Sequence, residues 1–534
     1  MMGVVLASMT VYAVLSLAGI QWGLPSRERL ALYDASYGEV VGSGEDRLFV
    51  TGPLQSYQVD ECSVLIPLSR MDPRRLQLNP KWFHWGTLHI YVIGVVLWAA
   101  QLLGVVTLTA SRQFYLGNPE ELATVYLIVR WVSWALGLAS LVLCAVLLRR
   151  VTRSLALFAA TLLMFAVSPL VVLYGAFGTP DMAIVFWVLV SAVLAGVGHE
   201  RQPGRLGLLL AFAAAGAAGS VKLYGGAAIA FPFVQAVRSR SALLPGLLCA
   251  GLAFVAGSPY VILDWPTFRA DLAWQWNHMH QGHGMAFLGT RPGFLHHWLE
   301  TLPAATSPLT TVIMALALAG ALVRWRSARL PVVAFLGLFW LQLARSPLKF
   351  ARYALPIIPL QLLLVAWLLA EARSRLVQRA GIGLLLAALA SEAMLAAGHA
   401  GVFREPDVRD RASAWLASHG APGDVVAVFG KPYFATPPLS QKRFGIVIAP
   451  LDLDALKKAS PQWVILSDYD TEPVFRFPQA LPVAHEALSN LLGASHSVMT
   501  FSSAPTPPLI VSWGRVLLPH DMRYHCPTIW IVGT

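Results

Sequence analysis

Apolar runs long enough to cross a bilayer recur through most of this chain, and short arginine-bearing segments separate them. No feature limits the fold more. Backbone in a hydrocarbon layer must satisfy its own hydrogen bonds, so each such run has to be a helix. The composition agrees. Hydrophobic residues make up 56% of the 534 residues and charged ones 13%, where soluble domains carry about 25% charged residues. The expected class is a polytopic α-helical membrane protein.

The formal charge of +11 raises the question of nucleic acid, and its distribution answers it. The arginines gather in "RRVTR" (149–153), "HERQPGR" (199–205), "VRSRS" (237–241), "RWRSAR" (324–329) and "EARSRLVQR" (371–379). Short basic loops between spans mark the cytoplasmic side, so the excess charge calls for no nucleic-acid partner. With these loops inside, about 11 spans alternate: 3–20, 126–148, 155–175, 182–197, 205–220, 222–236, 243–262, 304–324, 329–345, 354–371 and 379–398. The N-terminus is then cytoplasmic. The first run has no basic leader and no small-x-small cleavage site, so it reads as a retained span. Segment 86–106 is also apolar, but a full crossing there would invert every basic loop. It is expected to lie in or dip into the outer membrane face.

From about residue 401 the pattern changes. "VVAVFG" (425–430), "FGIVIAP" (444–450), "WVILSD" (463–468), "SVMTFSS" (497–503) and "TIWIVGT" (528–534) read as short strands with helical stretches between them. One helix has Pro406 in a first-turn position and Gly420 as its C-cap. A transmembrane unit of 1–400 and a small extracytoplasmic α/β domain of 401–534 are expected. Cys144 and Cys249 fall in spans. Cys62 and Cys526 fall in polar segments on the oxidising side, where free thiols are the simpler expectation and a disulfide the alternative.

Asp181 stands out in "VVLYGAFGTPDMAIVFWVLV" (171–190). A carboxylate at mid-bilayer costs roughly 3 kcal/mol. At the outer rim, with Thr179 as N-cap, Pro180 as first helical residue and the helix dipole behind it, the cost is far smaller. It therefore reads either as a well-built helix start or as a carboxylate aimed at the outer surface. Asp34, in the loop after the first span, is a second carboxylate on that side, with Glu39 and Asp46 as neighbours. Lys349 and Arg352 in "SPLKFARYALPIIP" are outer cations, against the bulk charge trend. Lys222 sits alone in an apolar stretch at the same face. Each fits a lipid phosphate or simple snorkelling at a helix end. His84 lies in "LNPKWFHWGTLHIY", an aromatic entry that suits an interfacial belt. His283 lies in a histidine-rich outer loop, "QWNHMHQGHGMAF", whose spacing matches no metal site.

These segments in this order, with Arg130 opening "RWVSWALGLASLVLCAVLLRRV" and with "GSVKLYGGAAIAFPF" and "AGSPYVILDWPTF" following, resemble the membrane-embedded GT-C glycosyltransferases. The group they are most similar to is the bacterial relatives of protein O-mannosyltransferases and aminoarabinose transferases. The resemblance covers about residues 1–400 and implies a polyprenyl-phosphate sugar donor, with a lipid, glycan or protein acceptor. It implies catalytic roles for Asp34 and Asp181 and a basic site near the lipid phosphate at Lys349 and Arg352; Lys222, His84, Arg130 and His283 are further substrate contacts expected beside it. Many members carry Asp-Glu in the first loop, whereas Asp34 is followed by Ala35. No motif requires a metal, and the cofactor is left open.

The expected reaction is inverting transfer at the outer face of the cytoplasmic membrane, with Asp34 as general base and the cations stabilising the phosphate leaving group. A lipid transporter or flippase, or a non-catalytic scaffold with an envelope-binding outer domain, are the alternatives. A scaffold has no reason to bring the distant charges together.

Overall fold

The computed structural model describes residues 1–33, 52–199, 203–239, 242–324, 326–429, 434–494, 497–505 and 518–534. The expected spans fall on helices α1 (Met2–Leu17), α3 (Pro119–Val151), α4 (Leu155–Val167), α5 (Pro169–Ala176), α6 (Asp181–Leu194), α7 (Arg205–Val221), α9 (Leu243–Gly257), α11 (Pro308–Val323), α12 (Leu330–Arg345), α13 (Ile357–Ala370) and α14 (Arg375–Val402). Between them lie α2 (Leu88–Leu102), α8 (Ala230–Ser239) and α10 (Trp265–Gln281). Among the described residues 4 helices are long and apolar enough to cross a membrane, or 5 if the α4–α5 pair, bent by 50° at Ser168, is one span. The others are shorter.

One expected span is not a single helix. Over 222–236 the chain makes a 3-10 turn, Leu223–Ile229, before α8 begins. The turn brings Gly225 so close to α7 that a Cβ there would sit 2.4 Å from the Ala218 carbonyl oxygen. The 10 residues of α8 reach only about 15 Å, half a hydrocarbon core.

The bundle has two chemically different ends. At one, Arg150 donates to the Val193 and Val197 carbonyls at the close of α6, Arg238 donates to the Ser327 carbonyl, and Arg329 pairs with Glu371. The other end holds Asp181, Lys222 and Arg352. Helices α7 and α9 run between the two in close contact, because Gly216 leaves no room for a Cβ against the Ala250 carbonyl, 2.1 Å away. Small residues of this kind let membrane helices approach closely.

Helix α2 does not run the length of the bundle. At its start Gly86 donates to the Val221 carbonyl and Thr87 bonds Ser258 and the Gly257 carbonyl. Beyond its end, Thr107 N–H donates to Glu121 in the first turn of α3. Both attachments belong to the end that carries Asp181.

The tail forms a five-stranded sheet, β1 (Val425–Phe429), β2 (Gly445–Ala449), β3 (Trp463–Ser467), β4 (Ser497–Phe501) and β5 (Ile529–Gly533), in the order β2-β1-β3-β5-β4. All five lie where the sequence places strands. β1 pairs parallel with β2 and β3, while β5 is antiparallel to β3 and β4. Alternation sorts the two faces. Val426, Val428, Ile465 and Ile531 pack on Val408, Ala412 and Leu416 of α15 (Val408–His419), while Ala427, Val464, Leu466 and Val532 face Val474 and Leu488. Gly420 caps α15 as expected, but its N-cap is Asp407, whose carboxylate accepts from Arg409 N–H. Pro406 therefore lies just outside the helix.

The tail also turns back into the bundle. Met522 joins the large helical core, and Trp22 donates its indole N–H to Asp407. All four cysteines are free.

Candidate functional site

The end of the bundle opposite the arginine-bearing loops gathers five charged side chains from distant parts of the sequence. Asp181 opens α6 and accepts from Lys222 Nζ at 2.7 Å. Lys222 is where α7 stops, in extended backbone. Its ammonium lies over the Trp85 ring, 4.8 Å from the centroid. Both side chains are buried, at 2% and 5% exposure, so each depends on the other: an unpaired buried charge is costly. The helix start differs by one residue from expectation. Pro180 is the N-cap and Asp181 the first helical residue, because Thr179 N–H turns back to the Phe177 carbonyl.

Arg352 sits in a 3-10 turn, Ala351–Ala354, between α12 and α13. Its guanidinium is 2.9 Å from Asp60 and 3.7 Å from Asp521. It stacks over the Phe350 ring at 4.1 Å. Asp521 comes from the tail and anchors the turn: its carboxylate accepts from the main-chain N–H of Ala351 and Arg352 and from the Tyr174 hydroxyl. These are amides at a turn's N-terminus, without a partner inside the turn, and they favour an anion. Asp60 is held differently. Its N–H donates to Gln58 Oε1, but its Oδ2 and the facing Arg352 Nη1 have no directed hydrogen bond. The pair is a bare charge contact with unsaturated donors and acceptors.

The two pairs share one electrostatic field. Arg352 and Asp60 both act on Lys222, and Asp181 and Lys222 both act on buried His89. His89 Nε2 has no partner.

The remaining expected site residues divide. His283 reaches the edge of the group, packing edge-on to Phe350 at 5.2 Å and near His520 at 6.0 Å. Burial and then the neighbouring His278 push its pKa down, so it is held neutral. Lys349 points away from Arg352 and donates to Thr290 Oγ1 at 2.7 Å; burial lowers its pKa. His84 stands apart, 4.3 Å from the Trp274 ring of α10.

Arg130 is wholly buried and wholly engaged. It forms a two-pronged pair with Glu61 at 2.7 and 2.8 Å and donates to the carbonyls of Ile20 and Trp22. Glu61 also accepts from Gly178 N–H and Ser56. This knot fixes the first loop against α1, α3 and the approach to α6, and so positions Asp60 beside it. Four of the five guanidinium donors of Arg130 are thus spent on the chain itself. Asp34 lies outside the described residues. Among those described, no group of three His, Cys, Asp or Glu side chains could hold a metal ion.

Asp60, Asp521, Tyr174 and His520 were missed at the level of sequence. For Asp60 a signal existed. "VDEC" (59–62) is an Asp-Glu pair in the first loop, the feature found lacking after Asp34.

Residues 84–240 match the family model described as dolichyl-phosphate-mannose-protein mannosyltransferase. The matched segment carries Lys222, Asp181, Arg130 and His84. No curated protein matches the chain. Among solved structures it is similar to ArnT from Cupriavidus metallidurans bound to undecaprenyl phosphate, at 14% identity, over 99% of this chain and 98% of that one, TM-score 0.46. It is similar to the Archaeoglobus fulgidus oligosaccharyltransferase, at 9% identity, over 90% and 70%, TM-score 0.42. A third is the mycobacterial arabinofuranosyltransferase AftD, at 15% identity, over 99% and 40%, TM-score 0.40.

Proposed function

We propose that this chain is a membrane-embedded glycosyltransferase of the GT-C superfamily that moves a sugar from a polyprenyl-phosphate carrier to an acceptor hydroxyl at the outer face of the cytoplasmic membrane. The observation that carries the reading is the Asp60–Arg352 contact, with the Asp181–Lys222 pair within its field. A donor anchored in the bilayer can present its headgroup only at the membrane surface. There the reaction needs a base for the acceptor and a cation for the departing phosphate.

Asp60 takes the acceptor proton. The acceptor oxygen attacks the anomeric carbon, the bond from that carbon to the phosphate oxygen breaks, and its electron pair leaves with the phosphate. Arg352 stabilises the anion that forms, and Lys222 adds a second charge at longer range. Direct displacement inverts the anomeric centre. Asp181 keeps Lys222 charged and in place. His283 and Trp85 border the sugar. Asp34 is the competing base from the same loop, and the Asp34→Asn and Asp60→Asn variants separate the two. The sugar and the acceptor are left open, with lipid, glycan or protein all compatible.

The test incubates purified protein with a panel of polyprenyl-phosphate sugars and a membrane-lipid extract, and measures released polyprenyl phosphate. Turnover with one donor and product of inverted configuration supports the reading. Absence of release from every donor, in protein that melts cooperatively, rejects it.

A further inference from the structure

At the arginine-bearing end, far from the site above, the end of α11, the turn before α12, the end of α13 and the start of α14 border an open cavity of about 670 Å³. Four of its lining side chains are Arg324, Arg326, Arg329 and Arg373, and Glu371 is the only acid among the lining residues. Glu371 is already committed, since Arg329 and Arg326 both pair with it. Arg324 and Arg373 have no ion pair among the described residues. Arg329 is 2% exposed, donates to the Arg324 carbonyl and leaves its Nε without a partner. Arg324 and Arg326 both act on its charge.

A topogenic arginine needs only to reach water at the cytoplasmic surface. It gains nothing from crowding with three others around a hollow. Four guanidinium groups and one carboxylate leave an excess of three positive charges converging on one space. The apolar part of the lining is formed by Val323, Leu368 and Val377, and Leu376 is the sequence neighbour of Val377. Val323 and Leu376 are 84% and 77% exposed, where lipid chains would lie. Planar guanidinium forks match phosphate oxygens in pairs.

We propose that this cavity binds the phosphate of an anionic phospholipid, with the arginines on the headgroup and the acyl chains along the apolar wall. The site is separate from the donor site and does not depend on the proposed reaction. The same phosphate chemistry could come from a free anion, which the test distinguishes.

Purified protein in neutral detergent is titrated with dioleoyl phosphatidylglycerol, and bound lipid is counted by native mass spectrometry. The R324A/R326A/R373A variant changes only exposed side chains, and its melting curve serves as the folding control. At about 1 kcal/mol for each basic residue near a lipid surface, affinity falls on the order of a hundredfold. R352M, at the other end, retains the lipid, and phosphatidylcholine binds both proteins equally weakly. Should the triple variant melt early, a folded R373E variant, which changes the local charge by two instead of three, gives a loss of roughly thirtyfold. Equal phosphatidylglycerol retention by wild type and a folded variant overturns the proposal. So does loss of the lipid in R352M, or its full displacement by millimolar inorganic phosphate.

Discussion

Lys222 Nζ meets Asp181 Oδ1 at 2.7 Å across 41 residues of sequence, joining the end of α7 to the start of α6 at the mouth of the bundle. Neither charge has water to fall back on. Asp181→Asn or Lys222→Met alone is expected to cost about 3–5 kcal/mol, because each leaves its partner buried and unpaired. The double variant recovers a large part of that stability but not the transfer activity. Thermal melting in detergent and donor turnover, measured on all three variants, check this. Full activity in a stable double variant would remove the pair from the mechanism.

Glu61 and Asp60 are adjacent and are expected to behave differently. Glu61 holds Arg130 with both oxygens and caps Gly178 N–H. Glu61→Gln should therefore lower stability by about 3 kcal/mol or more, and activity should fall only through misfolding. A Glu61→Gln protein that melts like wild type would mean the Arg130 knot is not what fixes the loop.

The tail is expected to loosen in acid. His520 packs on Phe350 and Tyr469, and His525 on His399 and Phe403. Burial drives the pKa of both well below the ordinary histidine value. A depressed folded value means that unfolding takes up protons once the pH drops below about 6.5. Stability is then complete above that pH and declines below it, by up to about 1.4 kcal/mol per pH unit for each histidine. Melting temperature is expected to fall between pH 7 and pH 5. The fall should be shallower in H520Q and H525Q. A flat profile in the wild type would contradict the neutral burial of both rings.

Asp521 ties the tail to the bundle through Tyr174 and two main-chain amides. Asp521→Ala leaves those donors buried without a partner, at about 1–3 kcal/mol each before relaxation. Hydrogen exchange should rise in 518–528 and in the 351–354 turn together, while β1 and β3 remain protected. Faster exchange confined to the tail would show that Arg352 is held by other contacts.

The helical architecture was legible because lipid permits so few backbone solutions, and the strands because each is a β-branched run between turn residues. Register with the membrane was harder. The stretch 222–236 reads as a span by hydropathy, yet Gly225 lets the chain press against α7, and packing outweighed length. The site was legible in part. Asp181, Lys222 and Arg352 are costly in apolar surroundings and so attract notice. Asp60 lies in a polar loop where carboxylates are ordinary, and only its partner Arg352, 292 positions away, makes it unusual. Asp521 sits in the α/β tail, which pattern alone assigns to a separate domain. Arg130 was noticed, but its pairing with Glu61 was not: sequence cannot separate an arginine that binds an anionic ligand from one that binds the chain's own glutamate.

The central claim is that Asp60 removes the acceptor proton beside Arg352, and one comparison tests it directly: the rate of polyprenyl-phosphate release by Asp60→Asn against wild type, under saturating donor. The substitution keeps the side chain's shape, leaves the Arg130–Glu61 knot intact and leaves Arg352 with Asp521 at 3.7 Å, so melting should change less than in Asp181→Asn. Release should fall about 10²–10⁴-fold. A folded Asp60→Asn protein that turns over donor at the wild-type rate would contradict the account.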